Sequence, residues 1–181
     1  GGNTGIAAST TLVIGNGGAI GSLGGGSVSI GNTGVLQINR DNTGLVTLDN
    51  TLTGTGRLVV GGGATTVLTA DNGYSGGTTV NAGTLRISGA AADAGSGTIT
   101  LGANTLDIAG GASLGNALSV ANGAAITSST GGGTLGAGAA LSLGNAVNLT
   151  LGSAGGGSLT VVRSIADTGD NATVTVTGGT V

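Results

Sequence analysis

The chain has 181 residues, 43 of them glycine, with four arginines, seven aspartates and no Lys, Glu, His, Cys, Pro, Met, Trp or Phe. Its formal net charge is −3 and its pI about 4.2. Clustered Lys and Arg are what hold a phosphate backbone, so the composition argues against nucleic acid as a partner; no apolar run reaches the ~18 residues of a membrane helix, and disulfides are excluded.

So much glycine without a fixed period usually signals disorder. Here only 6% of residues are charged and the mean hydropathy is +0.43. Disordered chains stay polar because they cannot bury enough apolar surface to offset ordering entropy, so this chain is expected to fold. Gly, Thr, Val and Ile disfavour helix. One aromatic residue, Tyr74, is too few for a broad sandwich core. A narrow core of stacked repeats fits better, with Val, Ile, Leu and Ala inside and Gly and Asn at the corners. No composition shift divides the chain, so residues 1–181 read as one segment. Neither an initiator Met nor a signal peptide opens it, which reads as a piece of a longer protein.

In chain order, short runs with apolar outer residues recur: Leu12-Val13-Ile14, Val28-Ser29-Ile30, Leu36-Gln37-Ile38, Val46-Thr47-Leu48 and Leu58-Val59-Val60. Others are Leu85-Arg86-Ile87, Ile99-Thr100-Leu101, Leu106-Asp107-Ile108, Leu118-Ser119-Val120, Leu141-Ser142-Leu143, Leu149-Thr150-Leu151, Leu159-Thr160-Val161 and Val174-Thr175-Val176. Period-2 alternation predicts strands with one buried face, turning middle residues such as Gln37, Arg86, Asp107 and Thr160 to solvent. Between the runs stand Gly, Asn and Asp, which tolerate positive φ and turn the chain. Short and long steps alternate, and one of each makes a coil of roughly 20 to 24 residues. About 8 such coils, stacked at ~4.8 Å, make a rod ~40 Å long. Hairpins in a meander are the competing arrangement, but they favour two-residue Asn-Gly or Asp-Gly loops, and most gaps here are longer. Two stretches fit poorly. Residues 90–96 read as a loop or short helical turn, and residues 128–138, nearly all Gly, Ser and Thr, as a bulging loop or flexible corner.

The densest stretch of this pattern runs from Gly54 to Ser88. Within it, Asp71-Asn72-Gly73-Tyr74-Ser75-Gly76-Gly77-Thr78-Thr79-Val80-Asn81-Ala82-Gly83-Thr84-Leu85 closely resembles the passenger-associated transport repeat of bacterial autotransporters. The departure is Gly73, where that family usually has Thr. The resemblance covers residues 54–88 once, with weak echoes at Gly97-Thr98-Ile99-Thr100-Leu101 and Gly133-Thr134-Leu135. It implies a right-handed parallel β-helix, secreted by a Gram-negative bacterium through a C-terminal outer-membrane barrel and displayed at the cell surface or released. No ~10-residue alternating strands with aromatic girdles occur, so the chain reads as passenger only. On that reading Gly76 and Gly77 open a corner where a Cβ would meet the neighbouring coil. Ala82-Gly83 turns the chain, Leu85 starts a strand, and Asn81 joins an asparagine ladder along the stack. Tyr74 covers an apolar edge and keeps its hydroxyl in water.

Catalysis has few candidate groups. Without His, Cys, Lys or Glu, only Asp, Ser, Thr, Tyr and Arg remain as acid, base or nucleophile. The best cluster is Arg40-Asp41 with Asp49, and Asp41 stands in an Asp-Asn-Thr-Gly turn where bonding its own backbone is the plainer role. Asp167, Asp170 and Asn171 gather oxygens at a spacing that suits calcium, but they match no calcium-loop pattern and read as a solvated turn. Thr173-Val174-Thr175-Val176-Thr177 is a single threonine row, not the array an ice-binding face needs. The expectation is a non-catalytic rod without cofactor, an adhesin or fibre of a surface or secreted protein. Its partners are further coils, another copy stacked end to end, or host or surface glycans and proteins. The alternatives are a carbohydrate-active β-helix enzyme and an ice- or mineral-binding surface.

Overall fold

The structure is a computed structural model that describes residues 2–41 and 44–178. Those residues form no helix and wind into a parallel β-solenoid of about eight coils. A full coil has three faces. On the first lie β1 (Thr4–Ile6), β3 (Val28–Ile30) and β6 (Leu52–Gly54), then β13 (Ala112–Leu114), β16 (Gly133–Leu135) and β19 (Leu159–Val161). On the second lie β2 (Thr11–Ile14), β4 (Val35–Ile38), β7 (Arg57–Val60), β9 (Thr78–Val80), β11 (Ile99–Leu101) and β14 (Leu118–Val120), followed by β17 (Leu141–Leu143) and β20 (Ile165–Asp167). The third is a seven-stranded sheet of β5 (Leu45–Leu48), β8 (Thr65–Leu68), β10 (Thr84–Ser88), β12 (Thr105–Ala109), β15 (Ala125–Ser128), β18 (Asn148–Ser153) and β21 (Thr173–Thr177).

Register sets the packing. Partners across adjacent coils lie as close as 19 residues in sequence, Ile99 with Leu118, and as far as 26, Gly133 with Leu159. The range exceeds that expected from the run spacing because the corners differ in length while the strands keep step. In-register pairing lines inward side chains into columns, as from Ile14 through Ile38, Val60 and Val80 to Leu101 and Val120 on the second face. Ile30, Leu36, Leu52, Leu58, Leu68, Leu85, Ile87, Ile99 and Leu106 are fully buried. Corners pack as tightly as strands. A Cβ on Gly56 would lie 2.2 Å from Ile30 Cγ2 and 2.6 Å from Gly31 O, so only glycine lets this coil approach the one before it.

The structure departs from the sequence pattern in two places and decides between two readings in a third. Residues 128–138 are not merely a loop, since Gly133–Leu135 form β16 between β13 and β19. Residues 90–96 are a loop, the first of the two readings: Ala92 N–H donates to Gly89 O, and the chain then runs on without helix or strand, with Ala94 buried. Asp107 does not face solvent. It is 3% exposed because Arg86, one coil earlier in the same register column, closes over it.

Removing an inward side chain leaves a cavity that neighbouring coils cannot fill without breaking register. Leu85→Ala is expected to destabilise the solenoid by about 2–5 kcal/mol, and Thr100→Ala, outward and exposed, by less than about 0.5 kcal/mol. Urea unfolding checks both, and equal losses would contradict the inward and outward assignment.

Candidate functional site

The chemistry-bearing side chains gather at the corners, and most of them bond backbone of an adjacent coil. At the corner leading into the first face, Asn50 Nδ2 donates to Gly24 O at 2.8 Å and Gly26 O at 2.6 Å. One coil later, Asn72 Oδ1 accepts the Leu52 N–H at 2.8 Å, and its Nδ2 donates to Ala70 O and to Asp93 O, at 2.8 and 2.9 Å. Asp93 Oδ1 in turn accepts N–H groups of Asn72, at 2.7 Å, and Gly95, at 3.1 Å. Between the first and second faces, Asn116 Nδ2 donates to Gly95 O and Gly97 O, both at 2.8 Å. Strand ladders end at corners, and a buried carbonyl left without a donor there would cost about 1–3 kcal/mol. These amides supply the donors.

Arg163 extends the same device across two coils. Its Nε donates to Gly136 O at 3.0 Å, Nη1 to Asn116 O at 2.6 Å and Nη2 to Leu114 O at 2.9 Å. Gly138 leaves the room: a Cβ there would lie 2.9 Å from Nη2. A planar guanidinium with fixed donor directions suits several carbonyls at once better than an ammonium does. On the outside of the third face, Arg86 Nε donates to Asp107 Oδ2 at 2.6 Å, and Asp107 Oδ1 accepts the Ser129 N–H at 2.8 Å. This ion pair bonds the fourth, fifth and sixth coils together.

Tyr74 does not keep its hydroxyl wet. It has no exposed surface, and its Oη shares a 2.5 Å hydrogen bond with buried Thr78 Oγ1. The reason lies in the first face. Gly73 to Ser75 form no strand, although Gly73 and Ser75 still donate to Leu52 O and Gly54 O. Here the ring fills the interior as part of the apolar core. A Cβ on Gly95, at φ +64°, would lie 3.2 Å from the ring. Burial raises the phenol pKa well above its ordinary value; the Asp93 charge adds to the rise and the Thr78 hydrogen bond opposes it.

The other residues of the motif have plain positions. A Cβ on Gly76 would come within 2.5 Å of Gly56 O, Gly77 has φ +83°, and a Cβ on Gly83, at φ +72°, would meet Ala64 O at 2.4 Å. Leu85 is fully buried. Asn81 is exposed, and the coil-bridging asparagines are others. At that outer corner Asn122 Oδ1 accepts from Asn148 N and Nδ2, and Thr173 donates to Asn148 Oδ1.

The charged candidates do not converge. Arg40 turns away from Asp41 and donates to Gly21 O, at 3.1 Å, and to Ala19 O. Asp41 and Asp49 are exposed, and Asn42 and Thr43 of that turn lie outside the described residues. Asp167 Oδ1 accepts the Gly169 N–H of its own turn at 3.0 Å, while Asn171 takes φ +66°. No group of three or more metal-ligating side chains gathers among the described residues. A shallow polar hollow of about 250 Å³ lies beside Asp93, Ser96, Ser113 and Asn116, and a larger one of about 550 Å³ opens at the last coil. Comparison with protein-family models finds no match, and comparisons with curated proteins and with solved structures find none either.

Two predictions follow the geometry. Asn72→Ala leaves the buried Leu52 N–H and two part-buried carbonyls without partners, and Asn116→Ala two part-buried carbonyls; each is expected to cost about 1–3 kcal/mol, while exposed Asn81→Ala stays within about 0.5 kcal/mol. Comparable losses at all three in thermal unfolding would contradict the corner account. For Tyr74, the native state holds the phenol proton more tightly than the unfolded chain does. Its contribution is therefore full below the unfolded pKa of about 10 and is lost as the pH rises above it. Because Tyr74 is the one tyrosine, tyrosinate absorbance is expected to appear only as β-structure is lost. Ionisation near pH 10 with the fold intact would place the hydroxyl in water after all.

Proposed function

We propose that this chain is a structural rod, a stretch of the passenger of a secreted or surface-displayed bacterial autotransporter-like protein, serving as the shaft of an adhesin or fibre. The observation that carries the reading is where its buried polar chemistry is used. Asn72, Asn116, Arg163 and the Arg86–Asp107 pair all bond one coil to another. Side chains arranged this way hold a stack together along its axis, and each added coil repeats the same nearest-neighbour contacts. The motif from Asp71 to Leu85 supports the autotransporter assignment. Contact with host or surface glycans and proteins then falls to the outer faces, where Ser29, Thr53, Thr100, Ser119 and Ser142 are exposed.

Surface display is the testable part. Antibodies raised against the folded segment are expected to label intact cells of the source bacterium, and external protease to remove the label. Labelling that requires permeabilised cells would overturn the proposal.

A further inference from the structure

We propose that the hollow beside Asp93 and Ser113, where the first face is interrupted midway along the rod, binds a single sugar ring through adjacent hydroxyl groups. The inference gives the glycan contact proposed above a place; it rests on that contact and not on display at a cell surface.

The first face runs as two three-stranded sheets, and the fourth and fifth coils, between β6 and β13, carry no strand on it. The fourth coil still bonds to the third, Gly73 and Ser75 donating to Leu52 O and Gly54 O, and Ser96 of the fifth donates to Tyr74 O at 3.0 Å. The next step is different. Between residues 93–96 and β13 no backbone hydrogen bond crosses among the described residues, and the side chain of Asn116 ties the two coils there. Leu114 O accepts the Gly136 N–H of the following coil. Successive residues of a strand turn their backbone groups to opposite edges, so the N–H and C=O of Ser113 point back to the interruption. Neither has a partner among the described residues.

The hollow of about 250 Å³ stands at this place, lined by Asp93, Gly95, Ser96, Ser113, Gly115 and Asn116. Asn116 is 8% exposed and its Nδ2 is taken by Gly95 O and Gly97 O, whereas its Oδ1 accepts from no group among the described residues. Asp93 is held through Oδ1, and its Oδ2 is likewise without a partner among them. Whole coils stack above and below, so these groups are open within the rod and not at an end of it.

Charge and hydrogen-bond sense select the ligand. An anion is opposed by the Asp93 carboxylate, and Arg163 is turned to the other edge of β13, bonded to Leu114 O and Asn116 O. A calcium ion takes about 6–8 oxygen ligands and its affinity rises with their charge, whereas this hollow offers a single carboxylate and an N–H beside it. An apolar ligand would strip water from these groups and give nothing back. A neutral polyol suits them all, because each hydroxyl both donates and accepts. Two adjacent ring hydroxyls donate to Asp93 Oδ2 and Ser113 O and accept from the Ser113 N–H, with the Ser96 and Ser113 hydroxyls at the rim. Drug-sized ligands occupy roughly 300–1,000 Å³, so this hollow suits one ring.

The test titrates the isotopically labelled chain with the methyl glycosides of mannose, galactose and fucose, each of which carries neighbouring hydroxyls on one side of its ring, and follows the backbone amides by NMR. At least one glycoside is expected to shift the amides of Ser96, Ser113 and Gly115 saturably, with a Kd on the order of 1 mM. Ser113→Leu and Ser96→Leu fill the hollow from different walls, and each is expected to weaken binding about tenfold or more with an unchanged circular dichroism spectrum. Ser142→Leu, at an exposed position on the second face, is expected to leave binding as it is. The shifts are read first in the unmodified chain, so the test stands even where a variant does not fold. The proposal is overturned by the absence of saturable shifts with all three glycosides, by shifts centred away from this hollow, by binding that survives both variants, or by calcium chloride giving the same shifts where the glycosides give none. Sugar binding by the purified chain and labelling of intact cells are separate readouts, so failure of one leaves the other standing.

Discussion

A solenoid coil has to turn corners inside the stack, and at each corner the strand ladder stops supplying hydrogen bonds. The backbone groups left there, half-buried or buried between coils, are the constraint on which this structure depends. Asn50, Asn72 and Asn116 satisfy them one coil at a time, and Arg163 does so over two coils at once. Each bond also fixes how far one coil is displaced from the next. Strand register, and with it the alignment of the inward columns, follows from corners that can close in only one way.

With the corners closed, the interior is narrow and small aliphatic side chains fill it. Tyr74 is the exception, and it stands where the first face lacks a strand, so a larger ring occupies the space. The same economy of room explains why Gly56, Gly76 and Gly138 have no substitute that fits: in each case a Cβ would collide with backbone of another coil. It also bears on function. Polar groups that bond to the next coil are engaged in holding the stack, which is the observation the proposed shaft rests on.

Two faces of the three are legible in the sequence, because Leu36-Gln37-Ile38 on the second and Leu85-Arg86-Ile87 on the third announce a strand by period alone. The first face is mostly silent. Thr4–Ile6, Leu52–Gly54 and Gly133–Leu135 carry few apolar side chains, and glycine hides the alternation. The corner asparagines are harder still, since a residue between turn glycines looks alike whether it meets water, as Asn81 does, or a carbonyl of the coil below, as Asn116 does. Spacing gives a signal at one corner and at one pair. Asn50, Asn72 and Asp93 follow one another at the coil repeat, and Asp107 follows Arg86 at the same interval, so opposite charges one coil apart point to a pair and not to two solvated residues.

The central claim, that successive turns of chain stack in parallel and in register, is tested most directly by a distance between Val13 and Ser119. Both point outward on the second face, and the register pairs place them five coils apart through Gln37, Val59, Thr79 and Thr100. With cysteine-linked spin labels at the two positions, pulsed electron paramagnetic resonance is predicted to give a narrow distribution centred near ~24 Å, five steps of ~4.8 Å. A meander of hairpins built from the same alternating runs would place eight strand steps between them, and a distance near ~38 Å would contradict the solenoid.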